Sequence, residues 1–173
     1  AIIRGISYSF PNDCLTNHDL SKQHPEWSVE KISNKTGINQ RRIVDKDTFA
    51  SDLGIMAAEK LFKDFNIDKS SIDFVLLCTQ SPDYFLPTTA CVLQDKLKLN
   101  TSCGALDFNL GCSGFVYGLV QAHGLIAMGL KRVLLIGSET LARLTDQDDR
   151  NDPDKHDRRL ESPVPTRTRK IRF

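Results

Sequence analysis

Two short runs constrain this chain more than anything else in it. Residues 72–79 read IDFVLLCT and residues 131–138 read KRVLLIGS. A strand with one wet face alternates apolar and polar side chains. Near-continuous apolar runs of this length instead mark strands buried on both faces. Such strands need helices above and below them, and the sequence between the two runs supplies helical spacing. Strands alternating with helices give an α/β fold with a mostly parallel sheet.

The remaining elements follow from local chemistry. Residues 2–10 are expected as a strand, stopped by Pro11-Asn12-Asp13. Thr16 stands as an N-cap with Asp19 in the capping-box position. Ser28 caps a second helix over 29–35, ended by Gly37. Residues 38–44 form a basic extended segment. Thr48 or Ser51 opens a longer helix to Phe65, with Leu53, Met56, Ala57, Leu61 and Phe65 on one face. Pro87-Thr88-Thr89 starts a helix to Leu97, residues 104–109 form a short strand, and 113–129 form a helix.

Composition narrows the function classes. Apolar residues are 40% and charged residues 26%, which excludes wholesale disorder. A formal net charge of +1 gives no global electrostatic case for nucleic acid or a membrane surface. No apolar stretch reaches the roughly 18 residues of a membrane span, and residues 1–11 lack the pattern of a secretory signal. The cysteines at 14, 78, 91, 103 and 112 contain no CxxC spacing. That suggests neither a zinc framework nor a full disulfide set, and it fits a reducing, cytoplasmic compartment. Residues 143–173 break the pattern, with nine basic and seven acidic residues and three prolines. That stretch holds too little apolar surface to offset its ordering entropy, so residues 1–142 are expected to fold and 143–173 to be a charged tail.

The stretch that carries chemistry is ALDFNLGCSGFVYG, residues 105–118. A strand ends near Asn109 and a helix begins near Ser113, which puts Cys112 at the turn between them. The first turn of a helix presents unpaired N–H groups and about half a positive charge, and both favour a thiolate. Gly111 and Gly114 leave room for a tight turn. The following helix is apolar nearly all round, as a buried helix is, and its glycines at 114, 118, 124 and 129 suit close packing. On the residues alone, the competing reading of Cys112 is one more buried structural cysteine. His123 lies three turns along the helix, about 16 Å from Cys112, too far to act as its base.

Several segments, in order, resemble one family. ALDFNLGCSGFVYGL is similar to the active-site cysteine segment of β-ketoacyl-acyl-carrier-protein synthase III, a thiolase-like enzyme. SYSFPNDCLTNHDL, KISNKTGINQRRIV, LLCTQSPDYFLPTTACVLQ and KRVLLIGSETLAR resemble further segments of that family. The likeness covers about residues 1–150 and implies the N-terminal half of a duplicated thiolase-like fold. It implies a transferase of fatty-acid initiation that loads an acyl group from acyl-CoA onto Cys112 as a thioester. Malonyl-acyl carrier protein then loses CO₂, and its carbanion attacks the thioester to give 3-oxoacyl-acyl carrier protein. A thiolate serves both half-reactions as nucleophile and as leaving group. No cofactor is implied beyond the CoA thioester and the carrier protein's phosphopantetheine, and a homodimer is implied.

The resemblance also assigns positions. Lys35 falls where the family contacts the CoA nucleotide phosphates, and Arg150 matches an arginine across that cleft; a solvated surface charge is the alternative for each. Lys31 stands where some members stack a tryptophan on adenine, and Trp27 lies one helical turn earlier. Leu86 matches a gate into the partner subunit's acyl pocket, or else simple dimer packing. The family's histidine and asparagine belong to its second half, so the chain alone is expected to lack the condensation step. After Arg150 the text departs from the family, as a reading-frame change or a divergent tail would produce. Other readings are an inactive fragment, an acyl-CoA-binding remnant, or a related polyketide-type cysteine acyltransferase.

Overall fold

A computed structural model describes residues 1–141. Arg150, the expected boundary after residue 142 and the tail at 143–173 lie outside the described residues.

The larger sheet has three parallel strands. Strand β3 (Phe74–Cys78) lies centrally between β4 (Gly104–Phe108) and β5 (Val133–Gly137). Val75, Leu76 and Leu77 are fully buried, as the run at 72–79 predicts. Val75 pairs with Leu134 and Leu77 with Ile136, while Leu76 pairs with Leu135. Because side chains alternate across a sheet, these pairs point to opposite faces. Helix α3 (Ala50–Asp64) sits over Ile136, and α5 (Gly114–Ala127) sits over Leu135. Helices therefore cover both faces. Helix α4 (Thr89–Lys96) packs beside α3, and that side holds the main core, with Phe62, Leu93 and Leu97 on Val75, Leu77, Leu134 and Ile136. A two-stranded antiparallel ribbon, β1 (Cys14–Thr16) and β2 (Gln40–Arg42), goes with α1 (Asn17–Gln23) and α2 (Val29–Thr36).

The caps form as the sequence dictates. Thr16 Oγ1 accepts from the Asp19 N–H, and the Asp19 carboxylate accepts from the Thr16 N–H at 3.1 Å. Ser28 caps α2, and Gly37 ends it at φ 69°, a left-handed conformation that suits glycine.

Five expectations are corrected. Residues 2–10 form no strand; they pair with no strand among the described residues. Helix α3 begins after Phe49, with neither Thr48 nor Ser51 as its cap, and the Phe49 N–H donates to the Asp52 carboxylate at 3.0 Å. Its buried face is Ala50, Ser51, Gly54, Ala58 and Phe62, while Met56 and Phe65 are exposed. A Cβ on Gly54 would lie 3.2 Å from Ile136 Cγ2, so the small residues allow the close approach to β5. Helix α5 is not enclosed: only Gly114 and Gly118 are buried, and Phe115, Val116, Tyr117 and Val120 are exposed. Of its glycines, Gly118 packs closely, 2.6 Å from Leu135 Cδ1 to a built Cβ, whereas Gly124 faces open space and Gly129 takes a positive φ past the helix end. No helix among the described residues is long and apolar enough to cross a membrane.

Candidate active site

Parallel strands end together, and here the C-terminal ends of β3, β4 and β5 gather the reactive segment. Strand β4 stops at Phe108 and α5 starts at Gly114, so residues 109–113 connect them. The Gly114 N–H closes the turn on the Gly111 carbonyl at 2.7 Å. Cys112 is exposed on this turn, two residues before the helix. Ser113 is the N-cap residue, but its side chain makes no capping bond, so α5 opens with backbone N–H groups alone. Gly114 is buried against β3: a Cβ there would run into Cys78 Sγ and come within 3.3 Å of Leu110 Cβ. The Cys78 thiol donates to the Leu110 carbonyl at 3.2 Å. Burial pushes the Cys78 thiol up from its ordinary value, and the Glu139 charge adds to the effect, so it stays a protonated donor. Burial and then Asp73 raise Cys103 in the same way. Cys78 and Cys103 are buried, Cys14 is half-buried, and Cys91 is exposed on α4.

The loop after β3 is held from three sides by carboxylates. Glu139, just past β5, accepts from the Gln80 N–H at 2.8 Å and the Ser81 hydroxyl at 2.9 Å. Ser81 Oγ in turn accepts from the Thr140 N–H at 2.8 Å. Asp83 Oδ1 accepts from the Ser51 N–H at 3.0 Å, tying the loop to the start of α3. Asp107 on β4 accepts from the Thr89 and Ala90 N–H groups that open α4. Burial raises the Asp107 carboxyl above its ordinary 3.8, opposed by those two bonds. Sequence reading missed Glu139, Asp107 and Gln80. The signal was present as an aspartate inside an apolar strand, ALDFN, and a glutamate directly after one, IGSET.

Known proteins can now be set beside this geometry. The sequence pattern of the family described as 3-oxoacyl-[acyl-carrier-protein (ACP)] synthase III matches residues 106–152, the stretch that carries Cys112. The β-ketoacyl-[acyl-carrier-protein] synthase III of Bacillus pumilus is 41% identical over 150 residues, covering 86% of this chain and 47% of the relative. That of Natranaerobius thermophilus is 42% identical over 152 residues, covering 87% and 46%. A 2.1 Å crystal structure of a 3-oxoacyl-(acyl-carrier-protein) synthase III superposes with a TM-score of 0.78 at 48% identity, over 82% of this chain and 42% of that one. The Thermus thermophilus structure gives 0.76 at 33% identity, over 88% and 47%. The chain is similar to about half of each 3-oxoacyl-[acyl-carrier-protein] synthase III protein it matches. It spans about half the length of the curated relatives it matches.

The positions carried over from that synthase III family fall in two places. Lys35 is exposed in the last turn of α2. Lys31 is exposed in the first turn of α2, where its N–H donates to the capping Ser28 Oγ at 3.2 Å and its Nζ donates to the Glu26 carbonyl at 3.4 Å. Trp27 is 39% exposed and tilts against His24 at 5.2 Å between ring centroids. Leu86 stands instead on the loop after β3, 62% exposed beside Phe85, with a cis peptide to Pro87. A cavity of about 500 Å³ opens beside the end of β5, lined by Ser7, Phe10, Arg42, Leu53 and Glu139 among others; Cys112 does not line it. Among the described residues no group of three or more His, Cys, Asp or Glu could hold a metal ion.

Proposed function

We propose that this chain carries the acyl-loading half of a 3-oxoacyl-[acyl-carrier-protein] synthase III reaction, with Cys112 as nucleophile. The observation that supports it most is the exposed Cys112 on the β4–α5 turn, inside the segment that matches the family. The Cys112 thiolate attacks the thioester carbonyl of an acyl-CoA. The carbonyl oxygen takes up negative charge, and in this reading a backbone N–H at the cysteine helps to stabilise it. The intermediate collapses, the acyl group stays on Sγ, and CoA leaves as a thiolate that takes up a proton. Lys35, Lys31 and Arg150 are the cations assigned to CoA, and Leu86 is assigned to the acyl pocket.

Condensation with malonyl-acyl carrier protein, within a homodimer, completes the reaction in this reading. A histidine and an asparagine polarise the malonyl thioester there, and we assign both to a second half of the fold. Incubation with acetyl-CoA followed by intact-mass measurement tests the first step. An acetyl adduct lost in Cys112→Ala is expected. Wild-type protein that stays unmodified at every pH would refute it.

A further inference from the structure

We infer that Glu139 and Gln80 are positioning residues for the nucleophile turn. Glu139 lies just beyond β5 and acts on the turn at one remove; its carboxylate fixes the Gln80 backbone and the Ser81 hydroxyl, two and three residues past β3. It accepts from the Gln80 N–H at 2.8 Å and the Ser81 hydroxyl at 2.9 Å, and it approaches Thr79 Oγ1 at 3.5 Å. Ser81 and Thr140 are buried, and the Thr140 N–H donates to Ser81 Oγ, so the junction is tied from both strands. On the other side the Thr79 N–H reaches the Phe108 carbonyl at 3.2 Å, at the end of the strand that delivers the cysteine. Gln80 therefore leaves β3 on a backbone with little freedom.

Its side chain is turned onto the turn. A Cβ built on Gly111 would meet Gln80 Oε1 at 3.0 Å, Cδ at 3.4 Å and Nε2 at 3.6 Å. The Gln80 amide, on an exposed residue, thus occupies the space beside Gly111 that a larger residue 111 would fill. Leu110, one residue further back, is held by the Cys78 thiol. The two neighbours adjoin consecutive residues of the turn, and Glu139 fixes the backbone from which the Gln80 side chain reaches it. The turn has no side-chain cap of its own at Ser113, so its placement depends on such outside contacts.

The inference rests on Cys112 being the acylated residue, and the test separates the two ideas. Amide hydrogen exchange is followed in Glu139→Ala, Glu139→Gln and Gln80→Ala, alongside the rate of acetyl transfer from acetyl-CoA. In Glu139→Ala and Gln80→Ala, exchange over 109–114 should quicken about tenfold while α4 is unchanged, because only a local opening is made easier. Glu139→Gln keeps an acceptor for the Gln80 N–H and should return exchange close to wild type. Acetylation of Cys112 should slow about tenfold or more in Glu139→Ala and recover in Glu139→Gln, as misplaced reacting groups do. Unchanged exchange over 109–114, or a uniform rise across the protein, overturns the positioning role. So does equal acetylation of wild type and Glu139→Ala. A wild type that shows the exchange pattern but never takes an acetyl group refutes the acyl-loading reading and leaves the clamp standing.

Discussion

Replacing Gly114 with alanine adds one methyl group at the most crowded point of the site. Gly114 is the first residue of α5 and is buried. The new Cβ would collide with Cys78 Sγ and lie 3.3 Å from Leu110 Cβ. Neither neighbour can retreat easily: Cys78 is a strand residue paired on both sides, and its thiol is bonded to the Leu110 carbonyl. Overpacking of this kind costs about 1–3 kcal/mol. Better helix propensity returns at most about 1 kcal/mol, and less at a first helical position. A net loss of about 1–2 kcal/mol follows, which lowers Tm by about 2–4 °C per kcal/mol in a chain of this size. The assay is a thermal or urea melt of Gly114→Ala, Cys78→Ala and the double variant. Removing the sulfur should relieve the clash, so the double variant should be more stable than the sum of the two singles by about 1 kcal/mol. A Gly114→Ala variant as stable as wild type would refute the reasoning. An equal penalty with and without the Cys78 sulfur would refute its cause.

The opposite edge of the sheet gives a pH test. The Asp73 carboxylate accepts from the Arg132 and Lys131 N–H groups, and these bonds, Arg132's first, hold it below its ordinary 3.8. Its stabilising contribution is therefore present above pH 3.8 and is lost as pH falls through the lower folded-state value. Urea melts should show a shallower acid decline for Asp73→Asn than for wild type; parallel declines would count against the bonds. The apolar face of α5 gives a test by sedimentation. Val116 and Val120 are 62% and 66% exposed and one turn apart, so wild type should self-associate or aggregate, and the Val116→Lys, Val120→Lys double variant should do so less. A wild type that sediments as a monomer would contradict this.

Much of the fold was legible because the deciding interactions are local. Thr16 with Asp19, Ser28 and Gly37 each make or break a helix within a few residues, and all act as their types imply. The apolar run around Val75 is equally direct, since a strand wet on one face would not tolerate it. The errors arise where a partner far along the chain decides. Spacing put the bulky Met56 and Phe65 on the inner face of α3, but Gly54 and Ala58 lie there because closeness to Ile136 outweighs side-chain volume. The text of residues 2–10 reads as a strand, yet pairing requires a neighbouring edge that no local pattern reveals. Helix α5 reads as enclosed because its composition is apolar, while enclosure depends on what is packed outside it. At the site, Cys112 stood out by its turn. Glu139 did not, because its partners Gln80 and Ser81 are about sixty residues away in sequence.

The common direction of the three strands has a practical outcome for anyone who alters this protein. Every group argued to serve the thiol leaves the sheet at one end, while Asp73 and the Lys131–Arg132 backbone lie at the other. A label, fusion or immobilising linkage attached at Lys131, an exposed residue, would sit a full strand length from Cys112. A linkage at that end leaves the turn that carries the thiol untouched.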